Sequence, residues 1–325
     1  MTQSQMTQSQ MTQSQSSQNQ PAQNPASQNQ APQYPPSQYQ PFNPRPTAPA
    51  TRLPAKSCDS QFHVFGSADR YPVRPGAAYE MPSATIETAL GLHRLLGIER
   101  GVIVQATTYG ADHQVVLDGL AAAGPSYRGC ANAVVLAERD DAYIQKLHDA
   151  GVRGARFTRQ GLGISMAPAV FDRAIARIRE LGWYAKFQPE PDGMMAQAAQ
   201  FERLDIPVLL DHMGRADPTA GAADPTRQLV ESLLSRGNFW VMLSLTEKIS
   251  RTGPPWDDVT PLAQALIAAN PDRVVWGSDW PHPVSTKPTP DEGQLVDQLA
   301  RYAGDAATLK KILVDNPARL FGFDE

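Results

Sequence analysis

From residue 58 onward the chain alternates eight short apolar runs with amphipathic stretches, and this alternation limits the possible folds more than any other feature. The apolar runs lie at 58–65, 101–106, 129–136, 154–158, 183–188, 207–211, 239–244 and 273–277. Helical spacing of apolar residues fits 86–96, 113–123, 141–150, 168–181, 194–204, 226–235 and 261–269, and then 292–302 and 306–314 after the last run. Strand–helix units of roughly 30 residues predict parallel strands joined by right-handed crossovers. Eight such units close into a barrel more naturally than they lie open, and no glycine-rich dinucleotide fingerprint follows the first run. The expected fold is therefore α/β, a (β/α)8 TIM-type barrel, with a doubly wound sheet as the alternative.

The residues before this pattern are of another kind. The first 44 contain no charged side chain, and Met-Thr-Gln-Ser-Gln occurs three times in succession before Gln, Asn, Ser and Pro take over. With almost nothing apolar to bury, such a segment is expected to stay disordered. It has neither the basic start and apolar core of a secretory signal nor the arginines of a transit peptide. The expected organisation is a Gln/Ser/Pro-rich tail over 1–56 and a barrel over 57–325, with residues 1 to 50 dispensable for activity and a truncation beginning at Pro54 still folded.

A net charge of −4 carries no basic surplus, so neither nucleic acid nor a membrane is the expected partner, and no apolar run is long enough for a membrane span. Cys58 and Cys130 are the only cysteines, so no disulfide framework is expected and a reducing cytoplasm is the simplest location.

In a barrel of this type the chemistry sits at the C-terminal ends of the strands. The last run, Val274-Val275-Trp276-Gly277, breaks into a turn where Asp279 appears, so Asp279 is either a carboxylate delivered to the barrel mouth or a cap for that turn. In the first run, alternation puts Gln61 and His63 on one face and Phe62 on the other. The fourth run ends at Arg156 and Thr158 with Arg159 beyond, the fifth at Lys186 and Gln188, and the sixth at Asp211-His212 with Arg215 three residues on. Glu247 and Lys248 lie just past the seventh. Two histidines and a carboxylate from three strand ends make a catalytic or ligand set, whereas one histidine alone is more often structural. His93, His113 and His148 fall on expected helices and receive no function.

Five segments, Gln61 to Gly66, Asp211 to Arg215, Ser250 to Val259, Gly277 to Pro283 and Leu313 to Phe321, resemble the amidohydrolase superfamily. The resemblance covers nearly all of the chain after residue 57, and is greatest to the branch that contains 2-pyrone-4,6-dicarboxylate lactonase, sulfomuconolactone hydrolase, sugar lactonases and galactarolactone isomerase. It implies a distorted barrel with its site at the strand ends. Metal enzymes of the superfamily carry His-x-His on the first strand, and here the first of that pair is Gln61, a poor ligand for Zn²⁺. The resemblance implies a site without a metal cofactor, the alternative being Zn²⁺ or Mn²⁺ on His63, His212 and Asp279.

The expected activity is hydrolysis of a small anionic lactone in aromatic or sugar-acid catabolism. Asp279 activates water, while His63 and His212 polarise the carbonyl and stabilise the oxyanion. Gln61, Arg156, Arg215 and Lys248 are the expected substrate-binding residues, with Trp256 and Trp280 as walls for a flat ring. Lys248 stands where the resemblance implies arginine, and the segment from Thr158 to Gly161 departs from the branch's pattern. The alternatives are a metal-dependent decarboxylase of an unsaturated or aromatic acid, a sugar-lactone isomerase, and a non-catalytic carboxylate-binding barrel.

Overall fold

The computed structural model of the protein describes residues 39–77, 79–158 and 167–323. Its centre is an eight-stranded parallel sheet in sequential order, formed by β1 (Cys58–Phe62), β2 (Arg100–Val104), β3 (Tyr127–Asn132), β4 (Val152–Phe157), β5 (Tyr184–Phe187), β6 (Val208–Leu210), β7 (Phe239–Leu243) and β8 (Val274–Trp276). The sheet closes on itself where Asp279 N donates to Gln61 O (3.0 Å) and His63 N to Trp280 O (2.7 Å). Gly277 permits this approach, because a Cβ there would stand 2.9 Å from the Gln61 backbone nitrogen. The barrel of the sequence reading is thus the fold.

Strand alternation sorts the core into two clusters, as a barrel covered by helices requires. Val102, Val104, Cys130, Tyr184, Leu209, Met242 and Val275 fill the interior. Ile103, Phe157, Phe187, Val208, Leu210, Val241 and Val274 face the surrounding helices. Arg156 and Lys186 share the interior parity of Gly154 and Tyr184, so the same alternation that builds the core turns two cations into the barrel interior.

The crossover helices carry their stop signals in sequence. Ile86–Leu96 begins at Thr85, which accepts from Thr88 N, and ends at Gly97 in left-handed geometry. Pro225–Ser235 starts on the cap Asp224 with proline in its first turn.

Some boundaries differ from the sequence reading. The third run was expected to stay extended to 136, but Val134–Glu138 is helical. The helix expected over 194–204 is a 3-10 turn followed by the single turn Ala198–Phe201. That expected over 306–314 widens into a π segment at Lys311–Asp315, and a further helix, Asn316–Phe321, follows.

The described part of the N-terminal segment lies on the barrel. Phe42 packs on Trp280 at a ring separation of 5.0 Å, and Gln40 N donates to Ser285 O (2.8 Å). Thr47 N and Oγ1 both donate to Asp291, and Ala50 N and Thr51 N to Asp297. Residues 39–51 therefore run along the β8 loop and the helix that follows it. The expectation of an unstructured tail reaching residue 56 does not hold for residues 39–56, since buried contacts and carboxylate acceptors organise a segment whose composition alone predicts disorder.

Both cysteines are free and buried. Among the described residues no helix is long and apolar enough to cross a membrane.

Candidate active site

The strand ends surround a cavity of about 340 Å³ lined by His63, Arg156, His212, Arg215, Lys248 and Asp279, together with Tyr79, Thr107, Gln188 and Glu190. Six of the seven side chains expected to act in catalysis or substrate binding thus meet in one place.

Asp279 forms the floor. It comes off β8 in left-handed backbone (φ 61°), which turns its side chain into the mouth. Its Oδ1 accepts from Gln61 Nε2 at 2.6 Å and lies 3.5 Å from His63 Nε2. Its Oδ2 lies 3.6 Å from Lys248 Nζ. Burial pushes this carboxyl up, but His63, His212 and Lys248 outweigh it and hold the group well below the usual carboxylate range.

Gln61 departs from its expected role. It is fully buried and does not line the cavity; it sits behind Asp279 and donates to it.

The two histidines differ in what they offer. His63 Nδ1 lies 2.7 Å from the Val104 carbonyl, which only accepts, so Nδ1 carries the proton and Nε2 faces Asp279. His212 Nδ1 meets Ser244 Oγ at 2.9 Å, while its Nε2 faces Arg156 Nη2 at 3.4 Å. A guanidinium only donates, so His212 Nε2 is an acceptor. Burial lowers the His212 pKa to about 4 against the pull of Asp211 and Asp279, so the ring is neutral near pH 7. A neutral ring with this tautomer has no N–H to give to an oxyanion.

Arg156 is fixed from below. Its Nε donates to Asp211 Oδ2 at 2.9 Å, and Lys186 Nζ lies 2.6 Å from Asp211 Oδ1. Burial raises the Asp211 pKa, but Lys186 and Arg156 together bring it below the ordinary value. Asp211 is therefore an internal anchor that compensates two buried cations. Arg215 is held differently: its Nε is buried with no hydrogen-bond partner among the described residues. Lys248 leans on the β8 loop through Pro283 O (2.9 Å).

Sequence reasoning missed Tyr79 and Glu190. Tyr79 comes from the irregular segment between β1 and the first helix, where no periodicity marks it, and its hydroxyl accepts from Thr107 Oγ1 at 3.2 Å. Trp256 and Trp280 are buried outside the cavity lining and wall nothing in it. Arg159 lies outside the described residues. The histidines left without a function are structural: His93 pairs with Asp59 (3.2 Å), His113 accepts from Asn132 N (3.0 Å), and His148 stacks on Trp183.

The amidohydrolase family model matches residues 58–323, nearly all of the barrel. The chain belongs to the amidohydrolase family. Over 284 residues this amidohydrolase is 36% identical to a 2-pyrone-4,6-dicarboxylate hydrolase of Comamonas testosteroni, a match covering 84% of this chain and 92% of that one. It is 35% identical over 277 residues to a 4-sulfomuconolactone hydrolase of Rhizobium radiobacter, covering 83% and 91%. A crystal structure from Agrobacterium tumefaciens superposes with a TM-score of 0.73 at 26% identity, covering 85% of this chain and 99% of that one.

Many amidohydrolases use a metal, and here the candidate ligands are His63, His212 and Asp279. They do not fit one well. His212 Nε2 faces a guanidinium, and Asp279 faces an amide N–H on one oxygen and an ammonium on the other. Among the described residues no group of three or more His, Cys, Asp or Glu side chains is arranged to hold an ion. In this amidohydrolase the lone pairs of His212 and Asp279 that a cation would need already point at positive or donor groups.

Proposed function

We propose that this amidohydrolase hydrolyses a small anionic lactone without a metal. The observation that carries the reading is a buried carboxylate, Asp279, facing a cavity that three cations also line: Arg156, Arg215 and Lys248. The hydrolase relatives, whose names specify a pyrone dicarboxylate and a sulfonated muconolactone, support the substrate class.

In this mechanism Arg215, whose buried Nε has no hydrogen-bond partner among the described residues, takes a carboxylate or sulfonate of the substrate. Lys248 adds a point charge beside it. Water attacks the lactone carbonyl and gives its proton to Asp279 as the new C–O bond forms. Asp279 is ionised throughout the neutral range but, for the same reason, is a weak base. His63 Nε2, 3.5 Å away, stabilises the ionised carboxylate. The oxyanion is stabilised by Arg156. The polarising role expected of His212 passes to that guanidinium, because His212 offers a lone pair and orients it. Collapse of the intermediate breaks the ring C–O bond, and the leaving oxygen takes the proton held by Asp279. The product is a hydroxy or enol acid with one more carboxylate than the substrate. A lactone is activated enough for this, whereas an amide makes a stronger demand for Lewis acidity.

The reaction fits a ring-opening step in the breakdown of an aromatic or sugar acid, and the free cysteines suit a cytoplasmic setting. The test is a panel of pyrone dicarboxylate, muconolactones, sulfomuconolactone and aldarolactones, assayed before and after chelation with bound metal measured in parallel. Turnover of an anionic lactone that survives chelation is expected. Failure on the whole panel, or stoichiometric metal with activity lost on chelation, would overturn the proposal.

A further inference from the structure

Asp279 and Lys248 lie on different elements, and their shared geometry needs something to hold those elements together. Asp279, His282 and Val284 all occupy left-handed backbone (φ 61°, 59° and 58°). Side-chain-bearing residues keep such conformations where their surroundings over-determine them. At this turn the surroundings converge on one ring. His282 is fully buried and does not line the cavity. Its backbone N–H donates to Asp279 O at 2.7 Å. Its Nδ1 lies 3.2 Å from Glu247 Oε1, and its Nε2 lies 3.6 Å from Glu292 Oε1.

Each of these acids leads to a different part of the site. Glu247 precedes Lys248 in the short helix Thr246–Ile249, and Lys248 returns to the same turn by donating to Pro283 O. Glu292 is the first residue of the helix Glu292–Ala303, whose cap, Asp291, also receives Thr47 N. Burial opposes a charged imidazole, but the two glutamates outweigh it and raise the pKa of His282 to about 9. A buried cation between two carboxylates is costly to break, because removing the ring leaves both acids uncompensated.

We propose that His282 is a positioning residue: by bridging Glu247 and Glu292 it holds the Asp279 carboxylate and the Lys248 ammonium at the separation that lactone attack requires. The proposal rests on the lactonase reading for its rate consequence, but its structural part stands apart from it. A catalytic group displaced by about 1 Å costs on the order of 100-fold in rate.

The test uses His282→Ala and the milder Glu247→Gln, with hydrogen exchange followed peptide by peptide and kinetics normalised to folded enzyme. Exchange is expected to rise across residues 277–285 while the strands β2 to β6 stay protected, and kcat to fall about 10- to 100-fold. A residue that merely contributes stability would lower the folded fraction and leave kcat per folded molecule intact. If His282→Ala does not fold, Glu247→Gln carries the same two readouts. Unchanged exchange in 277–285, or kcat within about twofold of wild type, overturns the proposal. If the wild-type protein opens no lactone, the lactonase reading fails and the exchange pattern alone decides.

Discussion

Gln61 Nε2 donates to Asp279 Oδ1 across 2.6 Å, joining the first and last strand ends at the carboxylate the mechanism depends on. Because Gln61 is outside the cavity lining, its loss should affect the base and not substrate binding. Gln61→Leu removes a buried hydrogen bond to a charged group, a contribution of about 1.5–3 kcal/mol. In steady-state kinetics kcat is expected to fall roughly 10- to 100-fold with KM within about twofold.

Arg215 is expected to behave in the opposite way. Its Nε has no partner among the described residues, so Arg215→Met breaks no hydrogen bond at that nitrogen. KM should rise by about one to two orders of magnitude, while the melting temperature moves by no more than about 2 °C. An unfolded variant with normal KM in its surviving fraction would assign the residue to structure.

Two buried histidines predict how stability changes with acid. His113 and His212 each have a folded pKa of about 4, lowered mainly by burial, against 6.5 for an unperturbed ring. Between those values the unfolded chain binds protons that the folded chain refuses, so the part of the stability these two rings govern is complete above pH 6.5 and is lost as the pH falls toward 4. The Asp279 pKa is lowered too, which for an acid stabilises the fold, and that contribution persists through this window and is lost only at lower pH. Denaturant melts from pH 7 down to about 4 should show the decline, and a flat profile would contradict the burial of these rings.

The described contacts of the N-terminal segment lie between residues 39 and 51. A chain starting at Tyr39 should match the full protein in stability and kcat, whereas one starting at Pro54 loses the Phe42–Trp280 contact and the bonds to Asp291 and Asp297. The melting temperature of the shorter chain is expected to drop by about 5 °C or more, with lower kcat because the β8 loop carries Asp279. Equal behaviour of the two truncations would restore the simpler view of a wholly dispensable tail.

What was legible in the sequence was what repeats or what one strand end displays. The eight strands were, because each is an apolar run with a turn after it, and so was the convergence of His63, Arg156, His212, Arg215, Lys248 and Asp279, because barrel strands all end at one mouth. Direction was not. Gln61 and His63 share a face, yet one points behind Asp279 and the other into the cavity, a distinction made by the close approach of β8 at Gly277. The tautomer of His212 depends on Arg156 and Ser244, which are 56 and 32 residues away in sequence. Tyr79, His282 and the strap at 39–51 belong to irregular backbone, where only tertiary contacts fix position.

The central claim, that Asp279 receives the proton of the attacking water, is tested most directly by the rate of lactone opening in Asp279→Asn. Asparagine keeps the size of the side chain and the contact with the turn but cannot take a proton. A folded Asp279→Asn protein should lose about 10²- to 10⁴-fold in kcat, the usual contribution of a general base, and a rate within tenfold of wild type would contradict the account.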